Sequence, residues 1–515
     1  VADRLDAALA VLPERLGWHV ALSASALALG LAIALPLGIA AARSPRLKWI
    51  ALASAGLVQT IPSLALLALF YPILLLLSRL AEKVLGHGFP ALGFLPSLLA
   101  LTLYSMLPIL RNAAAGIASV DPAVVEAAKG VGMTDRQRLW RVELPLAAPV
   151  IMAGVRTAAV WTIGAATLST PVGQTSLGDY IFSGLQTEDW VAVLVGCAAS
   201  AGLALIVEGL LGLIEAGVAR RDGKRLSAGG VGLAIGLVAA LAPLAVGALG
   251  HGRASYVIGA KNFSEQYILA ELMAGRLERV GASVQRRVNL GSAVAYRALA
   301  AGEIDAYVDY SGTLWANVLN RQDNPGRQAV LDGLRTELKA RDGVLLLAPL
   351  GFENAYALAM RRDRAEQLGI RSLADLAVHA SDLTMGGDLE FFSRPEWAAV
   401  EKAYGLRFRA KRQFQPTFMY RALASREADV ISAFSSDGRI AADDLVLLTD
   451  PKGALPPYDA VILVAPKRAG DRRLLDVLRP LSGAISLRTM QAANYAVDRD
   501  TDKKSPAEAA AMLTR

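Results

Sequence analysis

Six apolar stretches in the first half of the chain constrain its fold more than any other feature. A hydrocarbon layer about 30 Å thick takes about 20 helical residues to cross. Runs of that order lie near 19–42, 50–78, 92–110, 147–170, 190–218 and 229–250. Charge is distributed accordingly: residues 1–255 carry 18 basic and 14 acidic side chains, the remaining 260 carry 35 and 32. A mean hydropathy of +0.39 over 515 residues therefore averages two solvents, and a wholly soluble enzyme does not fit it.

The first run comes after an amphipathic lead at 1–18 that contains Asp3, Arg4, Asp6, Glu14 and Arg15. No small-residue cleavage site succeeds a basic segment, so the lead is expected to be an external N-terminal segment rather than a removable signal. Pro36, Pro62 and Pro108 fall inside runs, which membrane helices tolerate when neighbours satisfy the freed carbonyls.

Orientation follows from Lys and Arg in the connections. The loops after runs one, three and five hold 12 of them, among them Arg43, Arg111, Lys129 and Arg220, whereas the loops after runs two and four hold only Arg79 and Lys83. The twelve are expected to face the cytoplasm, which puts residues beyond 250 outside. Lone Cys197 sits in an apolar run and reads as a small buried hydrophobe. His19, His87, His251 and His379 are scattered, so no metal site is expected. Neither half is basic enough to argue for nucleic acid.

The loop at 121–145 carries the most specific motif. Glu126-Ala127-Ala128-Lys129-Gly130-Val131-Gly132 is followed by nine residues and then Val142-Glu143-Leu144-Pro145. Asp121-Pro122 supplies a cap and a first-turn proline, Glu126 comes in the opening turns, and Gly132 breaks the helix, so a short helix, a turn and a second helix are expected along the membrane surface. This segment resembles the cytoplasmic signature of permease subunits of binding-protein-dependent ABC importers, with Val142 in place of the usual Ile. The resemblance implies that Glu126, Ala127, Ala128, Gly132, Leu144 and Pro145 dock and couple a cytoplasmic ATPase. The run Gln59-Thr60-Ile61-Pro62-Ser63-Leu64 resembles permeases of the osmoprotectant branch. No Gly-x4-Gly-Lys-Ser/Thr loop occurs, so the ATPase must be a separate subunit, two copies serving a permease homodimer by analogy.

Residues 251–255 read as a short polar link, and a tether of that length holds the second half of the chain beside the first at an effective concentration on the order of mM. From Tyr256 the pattern alternates strand and helix, with helices expected near 264–280 and 292–301 and a strand near 283–289 between them, as in an α/β lobe. An ungapped echo at an offset of 124 aligns Ala298–Asp305 with Ala422–Asp429, and Tyr310-Ser311 with Phe434-Ser435. Ligands of open α/β sheets bind beyond the carboxyl ends of strands, so two facing lobes would present Tyr310 and Phe434 to one cleft. The alternative, two rings in separate cores, is open on the echo alone.

Across 256–515 the chain resembles the substrate-binding domain of glycine betaine/carnitine/choline importers. The landmarks include Gly259-Ala260-Lys261-Asn262-Phe263-Ser264-Glu265-Gln266, Asp309-Tyr310-Ser311-Gly312-Thr313, Gly351-Phe352-Glu353-Asn354-Ala355-Tyr356 and Pro456-Pro457-Tyr458-Asp459. The resemblance implies an α-helical membrane domain of about six spans, a type I ABC importer permease at 19–250, joined to an α/β two-lobed periplasmic-binding-protein clamp whose second lobe covers roughly 356–455. A quaternary ammonium donates no hydrogen bond, but ring faces attract it by about 0.5–2 kcal/mol each. Carried over by position, the cage falls on Tyr310, Tyr356, Phe434 and Tyr458, with Thr313, Asn354 and Lys261 as polar neighbours. Phe434 departs from a family Tyr, and Glu353 and Arg394 are open between ligand contact and surface roles. The implied function is uptake of a glycine betaine, choline or carnitine type solute, without a cofactor in this chain. Ergothioneine or another betaine-like nutrient is the alternative ligand, and a membrane sensor the alternative class.

Overall fold

The computed structural model describes residues 2–187, 189–250, 255–321, 323–414, 416–499 and 501–513. Two compact units emerge: Val1–Gly184 with Trp190–Gly252, and Leu185–Asp189 with Arg253–Arg515. The link expected at 251–255 lies outside the described residues apart from Ser255.

The first unit is helical. Its helices are α1 (Ala2–Ala42), α2 (Pro45–Thr60), α3 (Ser63–Leu85), α4 (Phe94–Ala118), α5 (Pro122–Gly130), α6 (Asp135–Arg138), α7 (Leu144–Ala166), α8 (Gly178–Gln186), α9 (Trp190–Arg220) and α10 (Gly223–Gly250). Among the described residues six helical stretches are long and apolar enough to span a membrane. Three expectations are corrected. The lead at 1–18 is no separate segment, because α1 runs unbroken through Pro13 and Pro36. The run at 50–78 is not one helix: Pro62 forces Ile61 into an extended conformation (φ −77°, ψ 125°) and separates α2 from α3. Cys197 is exposed on α9, not buried, because that all-round apolar helix packs only part of its surface against its neighbours.

Small residues let the helices approach closely. A Cβ on Gly30 of α1 would stand 1.9 Å from the Ser105 hydroxyl on α4, and one on Gly154 of α7 would stand 2.8 Å from the Pro108 carbonyl. Arg156 of α7 and Glu215 of α9 pair at 3.0 Å. His19 is buried and its ring hydrogen-bonds the Ile163 carbonyl at 3.0 Å, tying α1 to α7.

The second unit holds two five-stranded sheets. Strands β1 (Tyr256–Lys261), β2 (Val284–Leu290), β3 (Ala306–Tyr310), β4 (Leu345–Glu353) and β10 (Asp459–Val464) form one, in the order β2-β1-β3-β10-β4. Strands β5 (Tyr356–Arg361), β6 (Thr384–Gly387), β7 (Ala410–Gln413), β8 (Val430–Phe434) and β9 (Leu445–Leu447) form the other, in the order β7-β6-β8-β5-β9. In each sheet three strands run parallel and the fourth, β10 or β5, is antiparallel to the third. The chain crosses between sheets at Asn354-Ala355 and returns between β9 and β10.

The echo at offset 124 is this shared topology. Asp305 and Asp429 stand just before β3 and β8, and their carboxylates accept the Val257 and Thr384 amides at 2.7 and 2.8 Å. Each thus pins the start of the neighbouring parallel strand, a local reason for the same acid in both copies.

Candidate functional site

Topology brings the candidate rings together. Parallel strands β1, β3 and β8 end at Lys261, Tyr310 and Phe434. Antiparallel strands begin at that same end, β5 with Tyr356 and β10 immediately after Tyr458. Tyr356 lies directly opposite Phe434 in the β5/β8 register, and Ala460 opposite Tyr310 in β10/β3. Tyr310, Thr313, Asn354, Tyr356, Phe434, Tyr458 and Lys261 all line one cavity of about 250 Å³.

Tyr356 is the hub of the aromatic wall. Its ring centroid lies 4.8 Å from Phe434, 5.5 Å from Tyr458 at an interplanar angle of 81°, and 5.4 Å from Phe391. The Arg394 guanidinium stands 5.2 Å over the same ring and 3.4 Å from Glu396. Tyr458 is seated by its surroundings: its hydroxyl donates to Glu396, and a Cβ on Gly312 would come within 2.8 Å of its ring. Ser311 locks the same turn, donating to the Pro457 carbonyl and accepting the Asp459 amide, both at 2.9 Å. Burial and the Glu396 carboxylate push the Tyr458 phenol far above its ordinary range, so the ring stays neutral.

Lys261 reaches the cavity wall, but its ammonium is committed to buried Asp309. Asp309 also accepts the Tyr307 hydroxyl at 2.6 Å and the Tyr310 amide at 2.8 Å. A buried, paired ammonium is not a free counter-ion for a ligand carboxylate, and the polar role assigned to Lys261 is revised to holding β1 to β3. Glu353 makes a half-exposed ion pair with Arg327 at 2.7 Å and does not line the cavity.

The polar centre of the cavity was missed by sequence reasoning. Glu265, in the first turn of α11 (Ser264–Arg279), is buried and accepts the Tyr310 hydroxyl at 2.5 Å, Asn354 Nδ2 at 3.1 Å and Asn494 Nδ2 at 2.9 Å. Burial pushes its carboxyl upward against the pull of these donors and of the Ser436 hydroxyl. The Oδ1 atoms of Asn354 and Asn494 are buried without a hydrogen-bond partner. Glu265 was visible only as part of a landmark run, and Asn494 lies 229 residues away with no sequence signal.

A charged wall completes the site. Arg439 grips Asp437 with two hydrogen bonds of 3.1 and 2.8 Å, and Asp498 accepts the Ser264 hydroxyl at 2.5 Å. Burial raises Asp437 but Arg439 overrides it and holds the carboxyl below its usual value. Burial pushes Asp498 up to about 7; Arg439 and Lys503 oppose this, Asp437 adds to it. A carboxyl raised on folding binds more protons folded than unfolded, so its contribution to stability is lost as pH rises from about 4 to about 7. Asp498→Asn is expected to flatten the fall in melting temperature over that interval in the ligand-free chain, read by scanning calorimetry at pH 4.5, 6 and 8. An unchanged pH slope would remove Asp498 as its source.

The motif at 121–145 lies in the first unit. Asp121 caps α5 through the Ala123 amide at 2.8 Å, with Pro122 at the first position. Glu126 and Ala127 are exposed and Ala128 is buried. Glu126 lies in the second turn, where the helix dipole has faded, so its exposed carboxylate is free to serve a surface role. Gly132 adopts φ +80° with open space around it. The second helix expected here is only α6, which passes through a five-residue π-turn (Leu139–Glu143) into Leu144-Pro145 and α7 without a break.

Comparison with known proteins agrees with both halves. The model of the substrate binding domain of ABC-type glycine betaine transport systems matches residues 254–513. That of the binding-protein-dependent transport system inner membrane component matches residues 34–220. The ergothioneine transport permease/ergothioneine binding protein of Helicobacter pylori (strain G27) is 28% identical over 484 residues, 91% of this chain and 84% of that protein. The choline transport system permease protein of Bacillus subtilis (strain 168) is 38% identical over 197 residues, 38% of this chain and 83% of that protein. A solved glycine betaine/carnitine/choline ABC transporter structure aligns with TM-score 0.46 and 28% identity over 50% of this chain and 96% of its own.

Proposed function

Because the chain belongs to the family of substrate binding domains of ABC-type glycine betaine transport systems, here fused to an inner-membrane permease component, we propose that it imports a quaternary-ammonium compatible solute. It is a multi-pass membrane transport subunit of an ABC importer, not an enzyme. The observation that carries the ligand class is the convergence of rings from both sheets on one cavity, Tyr310 and Tyr458 from one, Tyr356 and Phe434 from the other. A trimethylammonium group seated there touches both lobes, so its binding energy favours the closed clamp.

The excess of Lys and Arg in the connections supports a cytoplasmic motif at 121–145 and an external clamp, fused to the permease so that capture needs no free partner. ATP hydrolysis falls to a separate subunit, two copies on a permease homodimer. The exposed motif supports import over sensing, since a receptor needs no ATPase-docking element. Gly132 tests this. A side chain there meets nothing within the chain, and the left-handed backbone costs about 1–2 kcal/mol. Gly132→Asp is therefore expected to abolish ATPase association and uptake while ligand binding and protein level stay normal. Normal uptake would sink the docking role.

Ergothioneine is the second reading, favoured by the Helicobacter pylori relative, whose similarity runs through permease and clamp alike. Calorimetry on the detergent-purified full chain with choline, glycine betaine, carnitine and ergothioneine separates the ligands. Heat from none of the four would overturn the ligand class.

A further inference from the structure

Glu143 lies in the π-turn between α6 and α7, and its side chain is only 7% exposed. Each carboxylate oxygen takes one arginine: Oε1 accepts from Arg138 Nε at 2.8 Å and Oε2 from Arg43 Nη2 at 2.9 Å. Arg138 is the last residue of α6 and also pairs with Asp135 at 2.8 Å. Arg43 comes directly after the last residue of α1, a hundred positions away in sequence. Around this knot Leu139 and Leu144 pack against an apolar cluster that includes Leu110, Ala113 and Ile117 of α4 and Ile151 of α7.

Two properties set this contact apart from an ordinary surface pair. It joins the end of α1 to the continuous α6–α7 segment through one carboxylate shielded from water, where ion pairs resist screening and tolerate little loss of a partner. It also sits in a π-turn, an i→i+5 ring of the kind at which helices kink. A push on α5 and α6 would be absorbed at Leu139–Glu143 unless something braces that ring. The two arginines are placed to do so.

We propose that Glu143 is a positioning residue for transport: with Arg138 and Arg43 it braces the π-turn and locks the ATPase-docking segment to the end of α1, so that displacement of α5 and α6 moves α1 and α7 together. This rests on the docking role of 121–145, which the Gly132→Asp experiment tests separately. Removing the brace leaves docking in place and disconnects α1 from it.

The full chain assembled with its ATPase subunit in nanodiscs tests the brace without any transported ligand. Spin labels at Arg46→Cys and Arg136→Cys, both exposed positions, in a Cys197→Ser background report the distance between the start of α2, three residues beyond Arg43, and α6 before and after trapping with ATP and vanadate. With the brace intact, the distance within one subunit, isolated by assembling labelled with excess unlabelled chain, is expected to give one narrow peak in both states. Arg43→Gln and Glu143→Gln are expected to lose the single narrow peak on trapping, and Arg43→Lys, which keeps the charge, to retain it. Arg43 is 44% exposed on its side chain, so its Gln variant is expected to fold even where Glu143→Gln does not. Two results would overturn the proposal: an intact-chain distance that changes on trapping, or an Arg43→Gln distribution indistinguishable from the intact one.

Discussion

Tyr356→Ala is expected to lower the affinity of the full chain for a trimethylammonium ligand by at least about tenfold, or ~1.4 kcal/mol. The ring contacts Phe434, Tyr458 and Phe391 at centroid distances of 4.8–5.5 Å, so its removal takes away one ring face and loosens two more. A ring face alone is worth about 0.5–2 kcal/mol to a cation, more when desolvated. Tyr458→Ala should cost as much, since it also leaves Glu396 buried without its phenol donor. Tyr356→Phe keeps the face and should bind within a few-fold of the parent. Unchanged calorimetric affinity in both alanine variants would remove the cage.

Glu265→Ala is expected to damage the clamp itself. The carboxylate is the shared acceptor of Tyr310, Asn354 and Asn494, three buried donors drawn from β3, the crossover and the helix Leu487–Asp498. Each buried donor left without an acceptor costs about 1–3 kcal/mol, so a loss of ~3 kcal/mol or more is expected. For a unit of this size that lowers the melting transition by on the order of 6 °C or more. Weakened ligand binding should accompany it, because the same carboxylate fixes the Tyr310 ring. A variant that melts with the parent chain would show that Glu265 is a passive wall residue.

How much of this was legible depended on the range of the interaction. Hydrophobic run length and basic loops are local, and they sufficed for six spanning stretches; Pro62 dividing one run was equally local and was passed over because prolines inside spans are tolerated. The ring positions were readable because the fold places parallel strand ends and antiparallel strand starts at one edge, so Tyr310, Phe434, Tyr356 and Tyr458 could be carried over by position. Lys261 was misjudged because a sequence shows a positive charge but not Asp309, 48 residues on, that uses it.

By itself the sequence determined the solvent of each half, the two-lobed pattern through its repeated Asp305/Asp429 and Tyr310/Phe434 positions, and the spaced motif at 121–145. Burial follows from periodicity and composition, which are written locally. Only the tertiary structure decided which charges are already spent, as with Lys261 on Asp309, and which acceptors stand at the centre, as with Glu265 beside Asn354 and Asn494. It alone disclosed the brace at Glu143. Pairing between groups 48 to 229 residues apart depends on where the chain returns in space, and no local pattern encodes that return.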